Sequence, residues 1–119
     1  VAIPARKVPS PADAPQLSAR GLLREIRKQD GRIYRMREVA VFVITRNKEL
    51  AEWLISLGGK PYLPKNMTPS YELGSYRDAR GGPLKWDIYI HAIPVRGEQS
   101  IWEAADGADL YSNEPRAEL

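Results

Sequence analysis

Six consecutive apolar residues, Val39–Ile44 (VAVFVI), constrain this chain more than any other segment. A run that is apolar on both sides and dominated by β-branched side chains favours a strand buried on both faces. The whole segment Arg32–Thr45 (RIYRMREVAVFVIT) is therefore expected to form one long central strand. Its second half would lie in the core. Its first half, where Arg32, Arg35 and Arg37 stand among Ile33, Tyr34 and Met36, would project beyond the core or lie at an exposed end. The run is also far short of the roughly 18–20 apolar residues that a membrane-spanning helix needs, so no membrane insertion is expected.

Helical periodicity flanks this strand on both sides. Ala19, Leu22, Leu23 and Ile26 recur at the i, i+3, i+4, i+7 spacing of one helical face, and Arg20, Arg24, Arg27 and Lys28 occupy the other. Asp13 and Ser18 are competing starts for this helix, and Asp30-Gly31 is its stop. After the strand, Asn47 is placed to cap a second helix with the stripe Leu50, Trp53, Leu54 and Leu57, ended by Gly58-Gly59. Strand, helix and the short, proline-limited strand 60–64 fit a β–α–β unit.

Residues 65–84 lack a sustained period and read as a long loop, with a small hairpin of Tyr71-Glu-Leu and Tyr76-Arg-Asp around Gly74-Ser75. The segment Lys85–Ile93 alternates: Trp86, Ile88, Ile90 and Ala92 face one way, and Asp87, Tyr89 and His91 the other. Ser100 and Glu103 have the spacing of a capping box and predict a short helical turn. Together these elements predict an α+β fold, a small mixed sheet with two main helices on one face. The domain spans 16–106, between an extended, proline-rich arm (1–15) and a tail (107–119). Val39, Val41, Phe42, Val43, Ile44, Leu50, Trp53, Leu54, Leu57, Trp86, Ile88 and Ile90 are expected to bury together.

Charge carries the functional signal. Residues 1–48 hold 11 Lys/Arg against 4 Asp/Glu, whereas residues 49–119 hold 7 against 11, so a net +7 half is joined to a net −4 half. Such asymmetry points to an anionic partner for the first half, or to two halves that face each other. Arg20, Arg24, Arg27 and Lys28, followed by Arg32, Tyr34, Arg35 and Arg37, combine cations for phosphates with a ring for base stacking, and form the candidate nucleic-acid surface. Trp102, outside the main apolar pattern, either folds back over the domain or anchors a protein partner.

Catalytic signatures are missing. The sequence has no glycine-rich phosphate loop, no Gly-x-Ser-x-Gly and no His-Glu-x-x-His, and with no cysteine and one histidine it offers neither a thiolate zinc site nor a multi-histidine metal site. No cofactor or metal is expected. The lack of cysteine suits a soluble protein in a reducing compartment, or one whose fold is indifferent to redox conditions. The sequence thus predicts a non-enzymatic basic accessory subunit that binds nucleic acid, RNA included, or sits in a nucleoprotein or other large assembly. The alternatives are a protein-interaction subunit without nucleic-acid contact and a small metal-independent nuclease that would use His91 with arginines; on the alternating strand His91 would share a face with Asp87 and Tyr89.

Overall fold

In the computed structural model, which describes residues 17–36, 40–106 and 111–112, helix α1 spans Ala19–Lys28. It starts at Ser18, whose hydroxyl accepts a hydrogen bond from the Gly21 amide at 3.1 Å; Asp13 lies outside the described residues. The helix ends at Gln29, Asp30 takes a left-handed conformation (φ 69°), and strand β1 (Gly31–Met36) follows at once. Gly31 is needed for space rather than for its φ. A Cβ there would lie 2.5 Å from Cγ2 of Ile26 and 2.9 Å from Cδ2 of Leu50, so the absent side chain lets α1 and the next helix close over β1.

The long strand expected over Arg32–Thr45 is instead a hairpin. β1 pairs antiparallel with β2 (Ala40–Thr45), from Gly31 opposite Thr45 to Met36 opposite Ala40, and residues 37–39 between them lie outside the described residues. The reason is hydrogen bonding. A single strand of that length would run about 46 Å and leave its first half without ladder partners, whereas folding back pairs the two halves with each other.

Asn47 caps α2 (Lys48–Ser56), its side-chain oxygen accepting from the amides of Glu49 at 3.0 Å and Leu50 at 3.4 Å. Gly58, with φ 118°, turns the chain out of the helix into β3 (Lys60–Tyr62). A two-residue β4 (Thr68–Pro69) pairs with β5 (Ser75–Arg77), Thr68 opposite Arg77. The hairpin expected here exists, but its first arm is Thr68–Pro69, and Tyr71 sits exposed in the connecting turn. β6 (Lys85–Tyr89) then pairs antiparallel with β2 along one edge, and with β5 and β3 in succession along the other. Since β2 and β3 are both antiparallel to β6, β2–α2–β3 is a split β–α–β unit with β6 between its parallel strands. Last comes α3 (Ile101–Asp106), opened by the expected capping box: the Ser100 amide donates to Glu103 Oε1 at 3.0 Å and the Glu103 amide to Ser100 Oγ at 3.1 Å.

The fold is α+β, with β1–β6 antiparallel to their neighbours in the order β4-β5-β6-β2-β1. Tyr111–Ser112, inside the segment read as a tail, adds β7 parallel to β1, and the arm 1–15 lies outside the described residues. α1, α2 and α3 all pack on one face of the sheet. There Leu22, Leu23 and Ile26 of α1, Leu50, Trp53 and Leu54 of α2, and Ile101 and Ala104 of α3 meet Ile33, Val41, Val43, Trp86 and Ile88 of the strands. Phe42 and Ile44 do not join them, because the alternation of β2 sends them to the opposite face, and Leu57 is only half-buried. Val39 lies outside the described residues.

This packing sets the cost of disturbing it. Leu54, fully buried, should lose about 2–5 kcal/mol of stability on change to alanine. Gly31→Ala should lose about 1–3 kcal/mol, since Ile26 and Leu50 must give way. Urea unfolding measures both, and a loss below about 0.5 kcal/mol for Leu54→Ala would contradict the docking of α2.

Candidate functional site

The face of the sheet opposite the helices carries four contacting aromatic rings and a buried carboxyl. Strand pairing arranges it in rows. One row runs Tyr34, Phe42, Tyr89 and Lys60 across β1, β2, β6 and β3, and the next runs Arg32, Ile44, Asp87 and Tyr62. A third begins with Lys85 beside Tyr76, at the end of the sheet where β2 passes into Arg46.

Four rings make a continuous chain across this face. Tyr34 stacks on Phe42 with centroids 5.5 Å apart and planes 12° from parallel, Phe42 meets Tyr89 edge-to-face at 5.9 Å, and Tyr89 meets Tyr62 edge-to-face at 5.3 Å. Such offset and T-shaped contacts are the favourable geometries for ring quadrupoles. Phe42 is only 6% exposed and holds its neighbours in place, whereas Tyr62 is 38% exposed and Tyr34 and Tyr89 are half-buried.

Asp87 sits among these residues with 4% of its surface exposed, and its Oδ1 is buried without a hydrogen-bond partner. Burial pushes its carboxyl up to about 7. Burial, and after it the charge of Asp87, also raises the Tyr76 phenol above its ordinary range, and burial together with Tyr62 and Asp87 raises Tyr89. A cavity of about 340 Å³ opens at the third row, lined by Asp30, Arg32, Tyr34, Ile44, Thr45, Arg46, Tyr76 and Lys85. Its rim rests on a hydrogen-bonded corner: Thr45 Oγ1 donates to the Asp30 carbonyl at 3.1 Å and accepts from the Asn47 amide at 2.9 Å, while Asn47 Nδ2 donates to the Gln29 carbonyl at 2.9 Å.

The residues singled out from sequence fall on separate surfaces. Arg20, Arg24, Arg27 and Lys28 are exposed on the outer side of α1, on the helix side of the sheet, with Lys28 3.5 Å from Glu25 of the same helix. Arg32 and Tyr34 lie on the opposite face, called open because no described helix packs on it. Arg35 falls on the helix side, where its guanidinium carbon stands 3.7 Å from the centroid of the Trp102 ring. Arg37 lies outside the described residues. Trp102 folds back on α3, half-buried against the core. Lys48 and Glu72, 3.6 Å apart, link the basic and acidic halves of the sequence.

His91 does not share a face with Asp87 and Tyr89. The amides of Ile90 and His91 both donate to the Val41 carbonyl, at 3.1 and 3.2 Å, the pattern of a β-bulge. The bulge breaks the alternation expected through Ile93, and the imidazole turns to an edge-to-face contact with Trp102, centroids 6.3 Å apart. The shared face expected for His91, Asp87 and Tyr89 is therefore not formed. Sequence reasoning missed Phe42, Tyr62, Tyr76 and Arg46 altogether as members of a site. Asp87 and Tyr89 were within reach, since the alternation of Lys85–Tyr89 had put both on one face.

The burial of Asp87 predicts how stability responds to pH. Its pKa is about 7 in the fold against 3.8 ordinarily, so between roughly pH 4 and 7 the folded chain keeps a proton that the unfolded chain has lost, and stability falls as pH rises through that window. From pH 5 to 7.5 the parent should lose on the order of 2–3 kcal/mol relative to Asp87→Asn, which is always neutral at this position. Urea midpoints of both proteins across that range measure the difference, and parallel curves would contradict it.

Comparison with known proteins finds no matching family model, no matching curated protein and no matching solved structure, which leaves geometry and residue chemistry as the grounds for function.

Proposed function

We propose that this chain is a non-enzymatic accessory subunit that binds single-stranded nucleic acid on the open face of its sheet, stacking bases on Tyr34, Tyr89 and Tyr62. The observation that carries this reading is the continuous row of rings on a sheet face against which no described helix packs. Every base has a π-face, so stacking on such rings is tolerant of sequence and contributes about 1–3 kcal/mol per base. The four strands span about 14 Å, room for two or three unstacked bases, and exposed Arg32 and Lys60 stand beside the rings as cations for the backbone. Duplex nucleic acid, whose bases are already stacked, offers these rings little.

The cations on the outer side of α1 take a different part. They lie across the sheet from the rings, so they draw a polyanion towards the molecule without touching the stacked bases. The positive charge of the first half of the chain is thereby used twice, once as a field and once in contact.

Titration of an unstructured oligonucleotide by fluorescence anisotropy tests the reading. Tyr62→Ala and Tyr34→Ala should each weaken binding about 5–100-fold. Reversing Arg20, Arg24 and Arg27 together to glutamate should have a smaller effect at moderate salt and flatten the salt dependence. If the charge reversal abolishes binding and the tyrosine variants bind like the parent, the contact surface is α1. If the parent does not bind at all, or binds with little dependence on salt, the protein-interaction reading takes its place.

A further inference from the structure

The cavity at the end of the sheet has a chemistry of its own. Arg32, Arg46 and Lys85 contribute three cations to its wall and Asp30 one carboxylate, so cations outnumber carboxylates by two in the lining. A phosphate monoester carries about −1.5 to −2 charges near neutral pH, whereas a backbone phosphodiester carries one. Tyr34 belongs both to the ring row and to the cavity wall, which makes the cavity the terminus of the row rather than a separate site.

We propose that this cavity holds the terminal phosphate monoester of a bound oligonucleotide, whose last base stacks on Tyr34. The inference rests on the stacking reading above and adds a preference for phosphorylated ends. Arginine suits the task, because its planar fork offers paired N–H donors to phosphate oxygens, and Lys85 supplies a point charge. The phenol of Tyr76 also lines the cavity, and its O–H can donate to a phosphate oxygen. The Thr45–Asn47–Asp30 corner fixes the backbone on which Arg46 and Asp30 sit, so the cations do not have to be gathered when the ligand arrives. Asp30 repels an anion, and the three cations of the lining outnumber it.

The test compares three unstructured oligonucleotides of one sequence, carrying a 5′-phosphate, a 3′-phosphate or hydroxyls at both ends, each labelled internally. One of the phosphorylated forms should bind about tenfold or more tightly than the hydroxyl form, and which one it is gives the polarity of the strand on the sheet. In Arg46→Gln and Lys85→Gln that ratio should fall towards one, and the ³¹P resonance of the terminal phosphate, shifted by the parent protein, should stay near its position in buffer. Equal affinity for the three oligonucleotides, with the tyrosine variants still weakened, would overturn the inference and leave the stacking reading standing. A phosphate preference undiminished in both variants would also overturn it, because the phosphate would then sit elsewhere. Binding of none of the three would remove both.

Discussion

The antiparallel pairing of β2 with β6 is the contact on which the rest of this structure depends. It puts Val43 opposite Ile88 on the helix side, where both, with Val41, are fully buried under three helices. The same ladder puts Phe42 opposite Tyr89 and Ile44 opposite Asp87 on the other side. Because side chains alternate, the core cannot form in this register without also assembling the open face. A one-residue slip would turn Phe42 to the helix side and Val43 to the other face. The hydrophobic side of the sheet therefore fixes the geometry of the polar side.

A second constraint lies where both helices meet the hairpin. Thr45 and Asn47 tie the end of α1 to the start of α2 through the carbonyls of Gln29 and Asp30, and Gly31 supplies the close approach that lets Ile26 and Leu50 meet across β1. These are short, local bonds, and they serve two purposes. They satisfy backbone groups that two helix termini and two strand ends would otherwise leave unpaired. They also hold the wall of the cavity to a corner that cannot easily relax, the condition under which cations can be kept close together without a ligand.

The open face is costly to the fold, and that cost is informative. An aspartate whose Oδ1 is buried without a hydrogen-bond partner lowers stability at neutral pH. Groups placed against the interests of stability concentrate where a surface has other work to do. The charge asymmetry of the sequence has a related explanation. Among the described residues, the cations of the first half are spread over the outside of α1, the open face and the Arg35–Trp102 stack rather than gathered in one continuous patch.

By itself the sequence determined the local elements. The two apolar stripes, the Ser18 and Asn47 caps, the Ser100–Glu103 capping box and the Gly58 exit are set by side chains within four residues of the groups they serve, so their spacing alone carries the information. The α+β class followed from them. Tertiary structure decided the rest. The hairpin of β1 and β2 was hidden because Arg37-Glu38-Val39 contains none of the usual turn residues, and only the ladder between Gly31–Met36 and Ala40–Thr45 reveals it. The bulge that turns His91 away from Asp87 is set by the carbonyl of Val41, some 50 residues earlier in the chain. Arg32 and Tyr34 were legible as candidate contacts, but the assembled site was not, for the same reason: Tyr34, Phe42, Tyr62, Tyr76 and Tyr89 belong to five strands, and their meeting depends on register, a property of strand pairs that no single segment encodes.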